Sequence, residues 1–170
     1  EAKAERYIIL TERRMAEIKA LAEKEDQEIT GGILKRYQEQ LRMTIETMEK
    51  VQNQGKGVEK ISARVAEVTG KHLLVLNEVY EKVPESAKDA ILKAKEASLN
   101  GQTRALNALV KEKPETAIKI NLKTIDGELS MLKVRTGANR TEEIESIAQQ
   151  IESQYNLQEV LLDAARKAGK

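Results

Sequence analysis

The amino-acid sequence predicts an all-α protein, an up-and-down antiparallel bundle of six long helices. Apolar residues recur at alternating steps of three and four, which places them along one stripe of each helix. Phenylalanine, tryptophan and cysteine are absent from the 170 residues, so the core is expected to be mainly aliphatic. No strand-like alternation of apolar and polar residues is found. We expect three hairpins, because long helices with short connections become antiparallel neighbours.

The third hairpin is predicted to repeat the first. After a shift of 114 residues, Ile8 and Met15 fall on Leu122 and Leu129. The match lies in the pattern more than in identities, and such a period is typical of helical repeats. Leaving the repeated stripe in water would expose a large apolar patch, so we expect it to be buried. The other superposed pairs are Ile18 and Leu132, Ile33 and Ile147, Tyr37 and Ile151, Leu41 and Tyr155, and Met48 and Leu162.

Hairpin one is predicted over residues 1–54. A weak break between Lys24 and Gly32 separates its two helices, because polar residues and glycines interrupt the apolar pattern there. The segment Gly55-Lys56-Gly57 ends the hairpin and is predicted to be a turn, since it is too short for a phosphate-binding loop. The stripe of the first helix comprises Ile8, Thr11, Met15, Ile18 and Ala22.

The central hairpin is predicted over residues 57–112, and its helices carry two apolar faces each. Two faces indicate burial from both sides, so we expect this hairpin to lie between the first and the third. The alternative is a four-helix bundle whose extra pair associates with another chain. The seams of helix three are Val58, Ile61, Val65, Val68, Val75 and Val79, and Leu73, Leu76, Tyr80 and Val83. Helix four presents Leu92, Leu99 and Leu106 on one face, and Ala87, Ala90, Ala94, Ser98, Gly101, Ala105 and Ala108 on another.

The repeat hairpin is predicted over residues 114–170. Pro84 and Pro114 are both expected at the first position of a helix, where the missing N–H of proline costs nothing. A break is expected at residues 136–139, and Asn139-Arg140-Thr141-Glu142 has the pattern of a helix cap. The stripe of helix five comprises Ile118, Leu122, Ile125, Leu129 and Leu132.

Composition limits the classes of partner. We expect one helical domain over residues 1–170. Basic and acidic residues number 29 and 28, and tyrosine, which occurs four times, is the one residue type among phenylalanine, tryptophan and tyrosine that the chain contains, so nucleic-acid binding is disfavoured. No apolar run approaches the length of a membrane-spanning helix. The start at Glu1-Ala2-Lys3 lacks a signal-peptide pattern and is expected to be a mature or trimmed end.

His72 is the single histidine of the chain and lies on the helix-three seam between Val68 and Val75. It could act as a metal ligand, a proton carrier or a pH switch. The favoured interpretation is a hydrogen-bonded imidazole at a helix interface. A di-iron bundle needs Glu-x-x-His on two helices, but Thr69 stands three residues before His72. No catalytic, cofactor or metal site is therefore predicted.

Four segments of the chain carry a resemblance to a known family. They are Tyr37-Gln38-Glu39-Gln40-Leu41, His72-Leu73, Val83-Pro84-Glu85-Ser86-Ala87 and Ser98-Leu99-Asn100-Gly101. Together they resemble a bacterial and archaeal family of helical domains of unknown function. The resemblance covers roughly residues 4 to 112. It implies an exported or envelope-associated protein, and it brings no activity with it.

The expected function is a non-enzymatic structural or protein-interaction module, part of a larger exported protein. A protein partner or self-association is expected, and no cofactor. The alternative is a small-ligand or metal sensor in which His72 and nearby carboxylates line a cavity between helices. A scaffold should tolerate His72→Gln with a modest loss of stability, whereas a sensor should lose its response.

Overall fold

The computed structural model describes residues 2–23, 31–135 and 141–167. They form six helices, and no strand occurs within these ranges, which confirms the predicted all-α bundle. Asn139 and Arg140, half of the predicted cap of the last helix, lie outside the described residues. The helices are α1 (Ala2–Glu23), α2 (Gly31–Asn53), α3 (Glu59–Lys82), α4 (Glu85–Leu109), α5 (Pro114–Arg135) and α6 (Thr141–Lys167).

The connections inside and beside the central hairpin are short. The predicted turn at residues 55–57 is confirmed, and Gly55 adopts the left-handed backbone conformation with φ of 70°. Pro114 is the first residue of α5, as expected. Pro84 is not the first residue of α4, which is a correction: it is the extended residue before the helix, with ψ of 157°. Val83 is extended as well, because a following proline disfavours helical backbone.

The six helices form three layers. The central layer is α3 with α4, and it contacts both other hairpins. On one side α1 packs on α3, and α2 packs on α4. On the other side α5 packs on α3 and α4, while α6 packs along α5 and touches α4. The central hairpin therefore lies between the other two, as the sequence indicated.

The interface between hairpin one and the central layer is mainly apolar. All five positions of the predicted α1 stripe are buried, and so is the α2 stripe at Tyr37, Leu41 and Met48. Each fully buried aliphatic side chain contributes about 1.5–3 kcal/mol. At the rim, Arg104 of α4 donates two hydrogen bonds to the carboxylate of Glu49 on α2, at 2.7 and 2.6 Å. Hairpin one is thus held mainly by aliphatic packing.

The two predicted faces of α4 behave differently. The small-residue face, including Ala94, Ser98 and Gly101, is buried except at Ala90, which is half-buried. The leucine face is not a continuous buried seam, which is a correction: Leu106 is buried, but Leu99 is half-buried and Leu92 is exposed. The small residues form the buried face of α4 because they let α2 and α3 approach its backbone closely. A methyl group on Gly101, for instance, would already lie 3.3 Å from a Thr69 carbon.

Hairpin three buries only part of the stripe that the repeat predicts, including Ile147 and Ile151. Leu122, Tyr155 and Leu162 are 42%, 48% and 39% exposed, whereas their counterparts in hairpin one are buried. Ile118, Leu129 and Leu132 are half-buried, and Ile125 is buried. The reason is that the face that hairpin three turns to the central layer is partly polar and forms hydrogen bonds there, beside buried apolar residues such as Ile120 and Leu161. The buried polar positions of this face are Asn121, Thr124, Glu128, Gln150, Gln154 and Gln158.

Candidate functional site

His72 lies where α2, α3 and α4 meet. Its Nδ1 is 3.1 Å from the Tyr37 hydroxyl, which is 2.5 Å from Oγ of Ser98. The Ser98 hydroxyl also donates to the Ala94 carbonyl at 2.9 Å. One set of protons satisfies the chain: Ser98 donates to Ala94, Tyr37 donates to Ser98, and Nδ1–H of His72 donates to Tyr37. The rings of Tyr37 and His72 also meet edge to face, 5.4 Å apart.

Burial keeps both titratable members of this cluster neutral. Desolvation lowers the pKa of His72 to about 3, and the positive charge of Lys71 adds to the effect. Burial likewise raises the pKa of the Tyr37 hydroxyl well above its ordinary value. A pH switch at physiological pH would require a histidine that titrates close to neutrality. The imidazole instead serves as a fixed hydrogen-bond donor between three helices, the role the sequence favoured.

A shallow cleft of about 230 Å³ lies beside His72, between α1 and α3. Its one carboxylate, Glu12, accepts a hydrogen bond from Arg64 at 3.0 Å and is thereby engaged. Within the described ranges, no group of three histidine, cysteine, aspartate or glutamate side chains is arranged to hold a metal ion. The sensor alternative requires carboxylates near His72. Among the residues that line this cleft, Glu12 is the one carboxylate, and it is hydrogen-bonded to Arg64.

A second polar cluster joins α4, α5 and α6, and we call it the polar ladder. In its middle, Nε2 of Gln154 donates to Oε1 of Gln102 at 2.7 Å, and Nε2 of Gln102 donates to Oγ1 of Thr124 at 2.7 Å. At one end, Nδ2 of Asn121 donates to Oε1 of Gln158 at 2.8 Å and to the Gln154 carbonyl at 3.0 Å. The members of the ladder are Lys95, Gln102, Asn121, Thr124, Glu128, Ser146, Gln150, Gln154 and Gln158.

The other end of the polar ladder is charged. Nζ of Lys95 donates to Oγ of Ser146 at 2.8 Å, two helical turns before Gln102. Glu128 is fully buried, and neither its carboxylate oxygens nor the side-chain amide of Gln150 has a hydrogen-bond partner among the described residues. Burial raises the pKa of Glu128 to about 7, against the opposing charge of Lys95. A carboxyl group in this position binds or releases a proton near neutral pH.

Gly70 of α3 makes room for the middle of the polar ladder. A Cβ atom at this position would lie 2.5 Å from Oγ1 of Thr124 and 2.8 Å from Nε2 of Gln102. Real side chains do not approach so closely, so the hydrogen bond between Gln102 and Thr124 passes across a position that only glycine leaves open. The glycine thus sets how closely α5 approaches the central layer.

We expect Gly70→Ala to destabilise the protein by about 1–3 kcal/mol, because overpacking and a broken hydrogen bond outweigh the better helix propensity of alanine. Gly127→Ala is the matched control, since a Cβ there would meet only the flexible tip of Leu74, at 2.8 Å. That variant should be neutral or up to about 1 kcal/mol more stable. Urea unfolding of both variants measures the difference, and equal stabilities would contradict the role of Gly70.

The polar ladder was not predicted from the sequence. A signal was present: Gln150, Gln154 and Gln158 recur every four residues, which places three amides on one face of α6. Apolar periodicity does not indicate such a face, because polar residues on a helix are expected to face solvent. The positions of Gln102 and Thr124 opposite them depend on the packing of hairpin three and could not be read from spacing.

These observations define a layered helical bundle whose buried polar groups join helices. The chain belongs to the family described as a domain of unknown function (DUF5667), whose model matches residues 1–86. The match covers hairpin one and α3 and ends just inside α4, so the whole polar ladder lies beyond it. No curated protein and no solved structure matches the chain. Among the described residues, no helix has the length and apolar character needed to cross a bilayer.

Proposed function

We propose that this chain is a non-enzymatic structural and protein-interaction module. The observation that carries the proposal is an apolar surface on hairpin three, the outer stripe, formed by Leu122, Leu129, Tyr155 and Leu162. In hairpin one the repeat-equivalent residues are Ile8, Met15, Leu41 and Met48, and all four are buried against the central layer. The same pattern of side chains is therefore used internally in one hairpin and left partly open in the other.

The outer stripe has the chemistry of a helix-packing surface. Leucine and tyrosine side chains exposed by 39–48% leave apolar area in water that a docked helix would cover. Burying that area favours association at roughly 25 cal/mol per Å² before the cost of immobilising the partner. A helical partner fits best, because the stripe follows the seam between two antiparallel helices.

The state of His72 supports the non-enzymatic part of the proposal. Its Nδ1 is engaged with Tyr37, its charge is suppressed by burial, and the one carboxylate of the neighbouring cleft is paired with Arg64. The sensor alternative gains no comparable support. Export as part of a larger protein rests on the resemblance of residues 71–91 and is proposed on that ground.

Native mass spectrometry of protein purified without chelator or affinity tag tests this proposal. We expect the mass of the polypeptide alone for each subunit, also after incubation with Zn²⁺ and removal of the excess. His72→Gln should leave the spectrum unchanged. A reproducible added mass that disappears in His72→Gln would overturn the scaffold proposal and establish a ligand-binding protein.

A further inference from the structure

We propose that hairpin three is a pH-controlled flap, which separates from the central layer when Glu128 ionises while hairpin one stays docked. The flap comprises α5 and α6, and its closed form is the three-layer bundle. Opening uncovers the polar ladder and the face of the central layer beneath it. The flap is a conformational property of the fold and is independent of the function proposed for the module.

Glu128 lies inside the interface that has to open, and its side chain is fully buried. Thr124, one turn earlier on the same face of α5, accepts a hydrogen bond from Gln102 of α4 at 2.7 Å. A Cβ atom on the preceding residue, Gly127, would lie 2.8 Å from the Leu74 side chain of α3. The Glu128 carboxyl group therefore lies where α5 meets the central layer.

Few groups stabilise an ionised Glu128 in the closed form. Neither of its carboxylate oxygens has a hydrogen-bond partner among the described residues. Lys95 of α4 supplies an opposing charge, but its ammonium group donates to Ser146 of α6 at 2.8 Å. An ionised carboxylate without hydrogen-bond donors is costly in an interior, and water hydrates it once the helices separate. Ionisation therefore favours the open form.

The other charged residues around Glu128 are directed elsewhere or lie further away. On α3, Lys71 lines the cleft toward α1, and Glu78 pairs with a lysine of α1 at 3.4 Å. Among the described residues, Lys95 is thus the charge that opposes opening. The remaining charged residues near Glu128 in sequence or level are exposed or lie about two helical turns away, and they are Glu81, Lys88, Lys123, Asp126, Lys133 and Glu145.

Hairpin three is the part of the bundle that can leave at the lower cost. Hairpin one is attached by buried aliphatic side chains and by ion pairs such as Arg64 of α3 with Glu12 of α1, at 3.0 Å. The hydrogen bonds of the polar ladder join neutral side chains, and water replaces such bonds on opening with little net loss. Ile120 and Leu161 belong to the common apolar core and hold the flap closed while Glu128 is neutral.

Hydrogen–deuterium exchange of the intact chain, measured by mass spectrometry of its peptides, tests the flap between pH 5 and pH 6.5. After correction for intrinsic exchange, the opening equilibrium constant of α5 and α6 should rise roughly twenty-fold, because the open form releases a proton that the closed form holds. Opening leaves His72 buried among α2, α3 and α4, so nothing offsets this rise. Exchange in α1 and α2 requires global unfolding, where His72 offsets Glu128, and its constant should change little.

Two variants separate the flap from a general effect of charge. Glu128→Gln should make the opening of α5 and α6 independent of pH, whereas Glu96→Gln, on the exposed surface of α4, should follow the wild type. The same pH dependence in all six helices would show that hairpin three opens only on global unfolding and would overturn the inference. A rise in α5 and α6 that persists in Glu128→Gln would overturn it as well. Neither result affects the scaffold proposal, which fails only if the His72-dependent ligand is found.

Discussion

Glu128→Gln is expected to stabilise the protein above neutral pH by about 2–3 kcal/mol, because it removes a carboxylate that must ionise in the interior. Glutamine has nearly the same shape and can occupy the same place in the polar ladder without charge. Lys95 keeps its hydrogen bond to Ser146 in the variant. The gain should disappear below pH 4.5, where both the folded and the unfolded wild type carry the proton.

The sign follows from proton binding. The pKa of Glu128 is about 7 in the folded protein, against an ordinary value of 4.5. Between these values the folded state holds a proton that the unfolded chain has released, so this group lowers stability as pH rises. Urea unfolding of wild type and Glu128→Gln at several pH values measures the difference. Glu96→Gln on the exposed surface of α4 is the control for loss of charge. A difference between wild type and Glu128→Gln that does not change with pH would contradict the assignment.

The first hairpin could be predicted closely from the sequence. Every position of the α1 stripe, from Ile8 to Ala22, is buried. The prediction succeeds because the partner surface is apolar, so the side chains that avoid water are also the ones that make the contact. The apolar periodicity of the helix then predicts directly which of its faces is buried.

Hairpin three shows where the same reasoning fails. Its leucine stripe is as regular as that of hairpin one, yet Leu122 is exposed while the polar side chains of Asn121, Thr124 and Glu128 are buried. The face of hairpin three that becomes buried depends on the surface of the central layer. That surface presents the Gln102 side chain and the space left by Gly70. That complementarity arises between helices far apart in the chain, so no local pattern of α5 reveals it.

The surroundings of His72 were partly predictable. The flanking valines indicated a helix interface, and the structure places the side chain in one. Its partners Tyr37 and Ser98 could not be chosen from the sequence, because they come from two other helices. Tyr37 precedes His72 by 35 residues, and the contact between Tyr37 and Ser98 spans 61. Only the packing of α2 against α4 brings the three groups together.

His72→Gln is expected to change how the stability of the protein depends on pH. At neutral pH the variant should be about 1–2 kcal/mol less stable, because glutamine keeps a polar contact to Tyr37 but loses the ring packing. The pKa of His72 is about 3 in the folded state against an ordinary value of 6.5. The unfolded chain therefore binds the proton first, and wild type loses this contribution to stability as pH falls below 6.5. Between pH 6.5 and about pH 5 the free energy of unfolding of the wild type falls by about 2 kcal/mol through this group. The variant has no histidine and does not show this decrease.

The two buried groups act in opposite directions over the same pH range. Between pH 4.5 and 6.5, acid removes the contribution of His72 to stability and also removes the cost of burying an ionised Glu128. The free energy of unfolding of the wild type should therefore change little with pH in this range. Denaturant unfolding of four proteins separates the groups. His72→Gln should gain stability as pH falls through this range, Glu128→Gln should lose it, and the double variant should be flat again. If His72→Gln followed the wild-type profile throughout, the imidazole would be accessible to protons in the folded state, and its role as a fixed neutral donor between α2, α3 and α4 would be wrong.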